Sequence, residues 1–368
     1  MSKISTKLDT DGSTSVLKAL IKHRLFIPIA FLAFLLLINI FINPGFLRIS
    51  FGRDSTGNPV LIGNLINILN NSTELVILAI GMTLVTASSR GQDISVGATV
   101  AIVGGVIMRV LCGNQTQPTE LQAPVMVALL LGCLAGMACG AFNGILVSKF
   151  NIQPMVATLI LFTAGRSIGS MAMGGLKPKA VASFGYYGNF IPGIPIPTPI
   201  LITVVFVVIT FLMLKKTNLG LYTQAVGIND KSSRLNGLNP AMIKFLSFII
   251  LGLCVGIAGF IQSSRVQTVN PYTIVTSIEM DVILAVALGG SSLGGGKINM
   301  AGSIIGAYTI QTLTSMLTTL NVNTNAVPVF KAVIIIILVT IQTPVVKSFF
   351  SKKTTFYRAT KGDVKERG

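Results

Sequence analysis

Apolar stretches of about 20 residues recur along the whole chain, and they constrain its fold more than any other feature. A helix of about that length crosses a hydrocarbon core of roughly 30 Å. We count ten such segments, at 25–43, 64–87, 94–112, 123–147, 153–173, 198–214, 241–261, 280–294, 299–320 and 327–346. The sequence therefore predicts an all-α polytopic membrane protein with about ten transmembrane helices, some of them broken or re-entrant.

Composition supports this class. Of the 368 residues, 51% are hydrophobic and only 11% are charged, whereas soluble domains carry about 25% charged residues. The segment 280–294 is the weakest candidate because it is short and rich in glycine.

Lysine and arginine are distributed unevenly between the two sides that these spans imply. The net charge is +17, a value that in a soluble protein suggests nucleic-acid binding. If the chain starts inside, 20 basic residues fall on the cytoplasmic side and only five fall outside, namely Arg48, Arg53, Lys177, Lys179 and Arg265. An excess of Lys and Arg inside is the usual orientation signal of membrane proteins. The pattern predicts cytoplasmic termini and gives no reason to expect a nucleic-acid partner.

The predicted spans divide the chain into three parts. Residues 1–23 form a basic cytoplasmic tail, residues 24–346 form the transmembrane domain, and residues 347–368 form a second basic tail that can lie against anionic membrane lipid. The longest inside loop, 215–240, predicts a short amphipathic helix on the cytoplasmic face. The outside loop 174–197 suits docking of a soluble partner, but a simple connector fits it equally well.

No constellation of catalytic residues is present, and we predict neither a metal site nor a cofactor. The only histidine is His23, which excludes a Ser-His-Asp triad or a multi-histidine metal site in a membrane span. The segment SSLGGGKI (291–298) resembles a phosphate-binding loop, but Ser291 and Ile298 break the required pattern. The cysteines lack metal-type spacing and are predicted to be small core residues.

Glycine recurs every fourth residue in one predicted span, at Gly132, Gly136, Gly140 and Gly144. This spacing lines one face of a helix and lets another backbone approach closely. Packing within the chain is favoured over a dimer interface. An internal repeat is also possible, since GQDISVGATVAIVGG and EMDVILAVALGGSSLGG are weakly alike.

A small set of polar residues lies at the ends or in the middle of the apolar segments. Charged groups within spans are costly and usually face protein or a water-filled path. At a helix start, an Asp or Ser can instead cap free N–H groups, so both roles stay open. The candidates for a substrate pathway are Asp93, Ser95, Asn143, Arg166, Glu279 and Asp281. For Arg166 we expect an intramembrane carboxylate as partner.

Several ordered motifs resemble the membrane permease subunits of bacterial ABC sugar importers of the ribose/galactose type. The resemblance covers roughly residues 60–345, and its wording is most similar to the galactofuranose permease branch. The motifs are GQDISVG (91–97), Asn143-Gly144, IQPMVATLILFTAGR (152–166), GLYTQAVGINDKSSRLNGLN (220–239), IEMDVILAVALGGSSLGGG (278–296) and GSIIGA (302–307).

The resemblance implies a division of labour among several proteins in the bacterial cytoplasmic (inner) membrane. Two permeases, identical or sister subunits, form the pathway for a monosaccharide such as galactofuranose or ribose. Two cytoplasmic ABC ATPase subunits supply the energy, and a periplasmic sugar-binding protein delivers the substrate. Segment 220–239 is then the region that docks the ATPase, with these coupling residues: Ala225, Val226, Gly227, Ile228, Asp230 and Arg234.

Two other classes of transport protein compete with this interpretation. An ion-coupled secondary transporter of a small polar solute requires a carboxylate in the middle of the membrane, whereas the candidates here lie at span ends. A channel requires a ring of filter-like residues and no energy source.

Overall fold

The computed structural model describes residues 25–53, 57–323 and 326–342. The predicted tails, 1–23 and 347–368, lie outside the described residues, as does the end of the predicted span 327–346.

The described part of the chain is mostly helical. A two-stranded antiparallel hairpin pairs β1 (Ser50–Arg53) with β2 (Pro59–Ile62), and a short 3₁₀ helix covers Ala182–Tyr187. The α-helices, in chain order, are α1 (Phe26–Ile42), α2 (Asn64–Asn71), α3 (Thr73–Ser89), α4 (Val96–Cys112), α5 (Val125–Ser148), α6 (Pro154–Ala172), α7 (Thr198–Lys216), α8 (Leu219–Ile228), α9 (Asp230–Leu235), α10 (Pro240–Val266), α11 (Ile278–Leu288), α12 (Met300–Thr319) and α13 (Val327–Gln342).

Length and hydropathy identify four clear membrane-crossing helices in the described residues, α5, α6, α7 and α10. A fifth span results if α2 and α3, which are bent by 40° at Ser72, are taken together. A helical membrane protein is thus confirmed, whereas ten spans stay a prediction. The expectation of purely α-helical structure is wrong at the β1–β2 hairpin, because the backbone groups of this non-helical segment before α2 pair with each other.

Helix α3 is enclosed by the rest of the chain. Every residue from Thr73 to Ser88 is buried, and α7, α8, α10, α11 and α12 all pack against it. A helix that is apolar all round is expected to be covered on every side.

Glycine brings α5 and α10 into backbone contact. A Cβ atom built on Gly136 would lie 2.3 Å from the carbonyl oxygen of Gly252, and one on Gly140 would lie 2.3 Å from that of Phe248. Gly256 faces the backbone of Cys133 in the same way, at 2.5 Å. The predicted role of the glycine stripe in packing within the chain is confirmed.

Glycine also brings two further pairs of helices into backbone contact. Helices α4 and α6 meet at Gly105 and Gly169, and α11 and α12 meet where a Cβ on Gly306 would lie 2.1 Å from the Ala285 oxygen. The four cysteines are free thiols, and Cys112, Cys133 and Cys254 are buried.

The predicted span 280–294 does not form one continuous helix. Helix α11 ends at Leu288, and residues 289–299 continue without regular structure. Gly290, Gly295 and Gly296 all have φ between +74° and +87°. Glycine adopts these angles readily, so the run of glycines ends the helix.

The predicted helix in loop 215–240 is in fact two helices. Helix α8 ends at Ile228, and α9 begins at Asp230 after a break at the extended residue Asn229. The side-chain oxygen of Asn229 accepts hydrogen bonds from the backbone N–H groups of Lys231 and Ser232, at 3.0 and 3.1 Å. This is an N-cap, and it fixes the start of α9.

The close contact of α5 with α10 predicts that Gly136→Ala destabilises the purified protein. The added methyl group has to displace the backbone of α10, and overpacking of this kind costs about 1–3 kcal/mol. Thermal unfolding in detergent should show a lower midpoint than for the wild type.

Gly220→Ala is the matched control. A Cβ at this α8 position meets only the Leu214 side chain, at 3.5 Å, and alanine is favoured over glycine in helices. Equal midpoints for Gly136→Ala and the wild type would contradict the proposed backbone contact.

Candidate functional site

Three of the predicted pathway residues form one buried hydrogen-bond network. Asp93 Oδ1 accepts from the Ser95 backbone N–H at 2.7 Å and from the Ser95 hydroxyl at 2.6 Å. The Asn143 amide donates to Asp93 Oδ2 at 3.1 Å and to Ser95 Oγ at 3.0 Å. All three side chains are at most 4% exposed. The network joins the start of α4 to α5.

The segment between α3 and α4 explains how a carboxylate reaches this buried position. Helix α3 ends at Ser89, and the capping residue Arg90 has a left-handed φ of 58°. Gly91 then packs against Pro154 at the start of α6. The Ile94 N–H donates to the Thr158 hydroxyl at 3.2 Å. Helix α4 therefore starts beside the second turn of α6, and the irregular backbone is surrounded by protein.

Among the described residues, no carboxylate lies within salt-bridge distance of Arg166, so the partner that was expected from the sequence is not seen there. The Arg166 guanidinium donates to the carbonyl oxygens of Pro271 and Ile274, at 2.8 and 3.1 Å. These carbonyls belong to the irregular segment before α11, where no helix consumes them, so they are free to bind the cation. Val275 and Ser277 in this segment have φ values of 42° and 67°, which is uncommon for side chains other than glycine.

Glu279 meets the first turn of α4. The residue is 6% exposed, and its Oε2 atom has no hydrogen-bond partner among the described residues. A Cβ on Gly97 would lie 2.4 Å from that oxygen. The starts of α4 and α11 therefore touch each other inside the protein, and these two starts are the segments that looked like a weak repeat.

Asp281 is held by an ion pair rather than acting as a helix cap. Lys331 of α13 lies 2.8 Å from its Oδ2 and 3.1 Å from its Oδ1. The structure thus separates the six candidates into the Asp93–Ser95–Asn143 network, the Arg166 and Glu279 region, and the Asp281–Lys331 pair.

One polar site was missed at the sequence level. Glu74 of α3 is 4% exposed, and Arg265 at the end of α10 lies 3.0 Å from its Oε1. The Arg265 guanidinium also donates to the Asn70 carbonyl at 2.8 Å. The sequence feature that could have revealed this site is Glu74 itself, a carboxylate within the predicted apolar span 64–87. Beside the pair lies a cavity of about 140 Å³, which Gln262, Asp281 and Gln311 also line.

On the opposite end of the bundle, α8 packs against the end of α3. Arg90 donates from Nε to the Gly227 oxygen at 2.7 Å and from its terminal nitrogen to the Ile228 oxygen at 2.8 Å. A Cβ on Gly227 would lie 1.7 Å from the Ala87 oxygen, and Val226 is fully buried.

This packing divides the predicted coupling residues into two groups. Val226 and Gly227 face the membrane domain and cannot be part of an outer patch. Ile228 is 70% exposed, Ala225 is half-buried, Arg234 is exposed, and Asp230 pairs with Lys244 of α10. Sequence analysis did not select Leu221, which is 65% exposed and lines the same groove as Ile228. It also did not select Leu235 of α9, which is 89% exposed.

The glycine-rich segment 291–298, which sequence analysis rejected as a phosphate-binding loop, packs against the end of α3. The Gly296 N–H donates to the Ala87 carbonyl at 2.9 Å, and Gly295 packs against Arg90. The segment therefore covers the end of α3.

A bundle of apolar helices with breaks that meet in its interior is typical of transporters, and comparison with known proteins decides the family. Residues 64–341 match the family described as the permease component of branched-chain amino acid transport systems. The chain belongs to this permease family. It is a multi-pass membrane protein, and the competing channel interpretation is not supported.

Relatives with assigned functions narrow the comparison to sugar importers. The fructose import permease of Bifidobacterium longum is 34% identical over 347 residues, covering 93% of each chain. The galactofuranose transporter permease of Escherichia coli K12 is 36% identical, covering 77% of this chain and 80% of its own. The ribose import permease of the same strain is 34% identical, covering 76% and 86%.

The resemblance to permease subunits of ABC sugar importers of the ribose/galactose type is confirmed by these matches. They support this permease function over an ion-coupled secondary transporter. No solved structure matches the chain.

The geometry of the buried network predicts that two destabilising substitutions compensate each other. Asp93→Asn sets an amide donor against the Asn143 amide donor, which should cost about 1–3 kcal/mol of stability. Asn143→Asp alone sets two carboxylates side by side and should also destabilise.

In the double variant Asp93→Asn/Asn143→Asp, the donor and the acceptor exchange places and the bond can form again. Its midpoint of thermal unfolding should recover most of the loss. If the midpoint of the double variant fell by as much as the sum of the decreases in the two single variants, a direct Asp93–Asn143 bond would be contradicted.

Proposed function

We propose that the chain conducts a monosaccharide across the bacterial cytoplasmic membrane, powered by separate ATPase subunits. This proposal rests on the contact between the first turns of α4 and α11, at Gly97 and Glu279. An irregular segment precedes each of these two helices. Backbone without regular structure is tolerated at membrane depth only where protein or a water-filled path surrounds it. The relatives named above transport fructose, galactofuranose and ribose, all of which form five-membered rings, so a furanose sugar is the substrate class we propose.

Arg166 and Glu279 are the proposed sugar-contacting residues. The strained backbone at Val275 and Ser277 supports this role, since strain of this kind clusters at functional sites. Asp93, Ser95 and Asn143 hold the start of α4 in position, and Asp281 holds α11 to α13 through Lys331. Sugar hydroxyls both donate and accept hydrogen bonds. The Arg166 guanidinium can donate to them, and the Glu279 Oε2 atom, which has no hydrogen-bond partner among the described residues, can accept from them.

The proposed assembly contains two permeases, identical or sister subunits, two cytoplasmic ABC ATPase subunits and a periplasmic sugar-binding protein. Each permease has ten membrane-entering segments with both termini in the cytoplasm, in keeping with the distribution of 20 inside and five outside basic residues.

The ATPase-docking surface is proposed to be the exposed face of α8 and α9, with Ile228 at its centre. Apolar side chains in a groove, rimmed by charges, are the usual means by which a helix docks. Arg90 and Gly227 then link this surface to α3, so that displacement of α8 reaches the Asp93 network.

We expect uptake to require the whole assembly. Permease reconstituted alone into liposomes should not accumulate sugar under a proton or sodium gradient. In this proposal the energy comes from ATP and not from an ion gradient, and the permease sequence contains no phosphate-binding loop. When the ATPase subunits and ATP are present on the cytoplasmic side of the permease and the sugar-binding protein on the opposite side, radiolabelled sugar should accumulate on the cytoplasmic side. Uphill uptake by the permease alone would establish an ion-coupled transporter instead.

Ile228→Asp should lower sugar-stimulated ATPase activity of the assembly about tenfold or more, roughly 1.4 kcal/mol. The carboxylate leaves the fold intact, because Ile228 is 70% exposed, but it opposes apolar docking. The measurement is ATPase activity together with retention of ATPase subunits on tagged permease.

Leu320→Asp, the same kind of change at the opposite end of the bundle, is the control and should retain the ATPase subunits. Gly227→Leu should lower the thermal unfolding midpoint as well, because it displaces Ala87. Normal stimulation and normal retention with Ile228→Asp would show that this face does not dock the ATPase.

A further inference from the structure

A basic pocket lies beside α9, at the end of the bundle where α5 ends and α10 begins. Its volume is about 710 Å³. Its charged lining residues are Lys149, Asp230, Lys231, Arg234 and Lys244. The membrane segments α5 and α10 and the surface helix α9 each contribute one wall.

The charges in this pocket are not balanced. Asp230 is paired with Lys244. Lys149, Lys231 and Arg234 are exposed, and none of the three takes part in a salt bridge or a side-chain hydrogen bond within the part of the chain that the structure describes. Three cations that converge without anionic partners repel one another, so an anion that binds among them relieves this repulsion.

The surroundings of the pocket are apolar on the side of the membrane spans. Ile145, one turn before Lys149 on α5, is 42% exposed, Phe150 is 63% exposed, and Met242 on α10 is 55% exposed. Pro240, Ala241 and Leu235 also line the pocket. A ligand that fills this site therefore carries both negative charge and apolar surface.

We propose that this pocket binds the phosphate headgroup of an anionic phospholipid, with the acyl chains along α5 and α10. Basic pockets at the ends of membrane helices recognise anionic headgroups, and each Lys or Arg near the surface strengthens the attraction. The apolar side chains beside the cations distinguish a phospholipid from free phosphate, which has nothing to place against them. Bound lipid would hold α9 against α5 and α10, next to the surface where we propose that the ATPase docks.

The test uses native mass spectrometry of the full-length permease with defined lipids. Wild-type protein should retain phosphatidylglycerol in preference to phosphatidylcholine. Lys149→Gln/Lys231→Gln should reduce the apparent affinity for phosphatidylglycerol about tenfold or more and leave that for phosphatidylcholine unchanged. Lys215→Gln/Lys216→Gln, with the same loss of charge at the end of α7, is the matched control and should resemble the wild type.

Two further arms separate the lipid from other anions. Inorganic phosphate at moderate concentration should not displace phosphatidylglycerol, since the acyl chains contribute to binding. Lys149→Gln, which lies outside α8 and α9, should retain ATPase subunits in bilayers of phosphatidylcholine as well as the wild type does. Unchanged phosphatidylglycerol binding by Lys149→Gln/Lys231→Gln, equal loss in the control, or displacement by inorganic phosphate would each overturn the proposal. Loss of ATPase subunits with unchanged lipid binding would assign the pocket to a protein contact instead.

Discussion

The enclosure of α3 by the same chain is the constraint on which the rest of the structure depends. Lipid offers no hydrophobic drive for one apolar helix to cover another, so close packing has to supply the attraction. Residues Thr73–Ser88 are buried on all sides, which requires the surrounding helices to approach one another closely. Glycine permits that approach at α5–α10, α4–α6 and α11–α12.

Enclosure also permits the irregular backbone that a transport pathway needs. The break before α4 is held by Asp93, Ser95 and Asn143, and the segment before α11 gives its carbonyls to Arg166. In both breaks, side chains of the same chain bind backbone groups that lie outside any helix. Arg90, which follows α3 at the start of the first break, donates hydrogen bonds to the Gly227 and Ile228 carbonyls of α8. The segment that holds Asp93 is therefore joined directly to the proposed docking surface.

Local features of the fold could be predicted from the sequence, and distant pairings could not. Apolar length predicted most helices, and four-residue glycine spacing predicted tight packing on α5. The Asp93–Ser95 bond is local, but its Asn143 partner is 50 residues away. Glu74 and Arg265 are 191 residues apart, so no local sequence pattern could predict that they form an ion pair. The inward orientation of Val226 and Gly227 depends on the end of α3, which no pattern within 215–240 reveals.

The enclosure of α3 can be measured directly with an apolar, photoactivated carbene reagent dissolved in the bilayer. Peptides from α7 should be labelled strongly, because Ile209 and Phe211 are 58% and 66% exposed on its surface. The peptide covering Thr73–Ser89 should carry almost no label. Labelling of Thr73–Ser89 as strong as that of α7 would contradict the account.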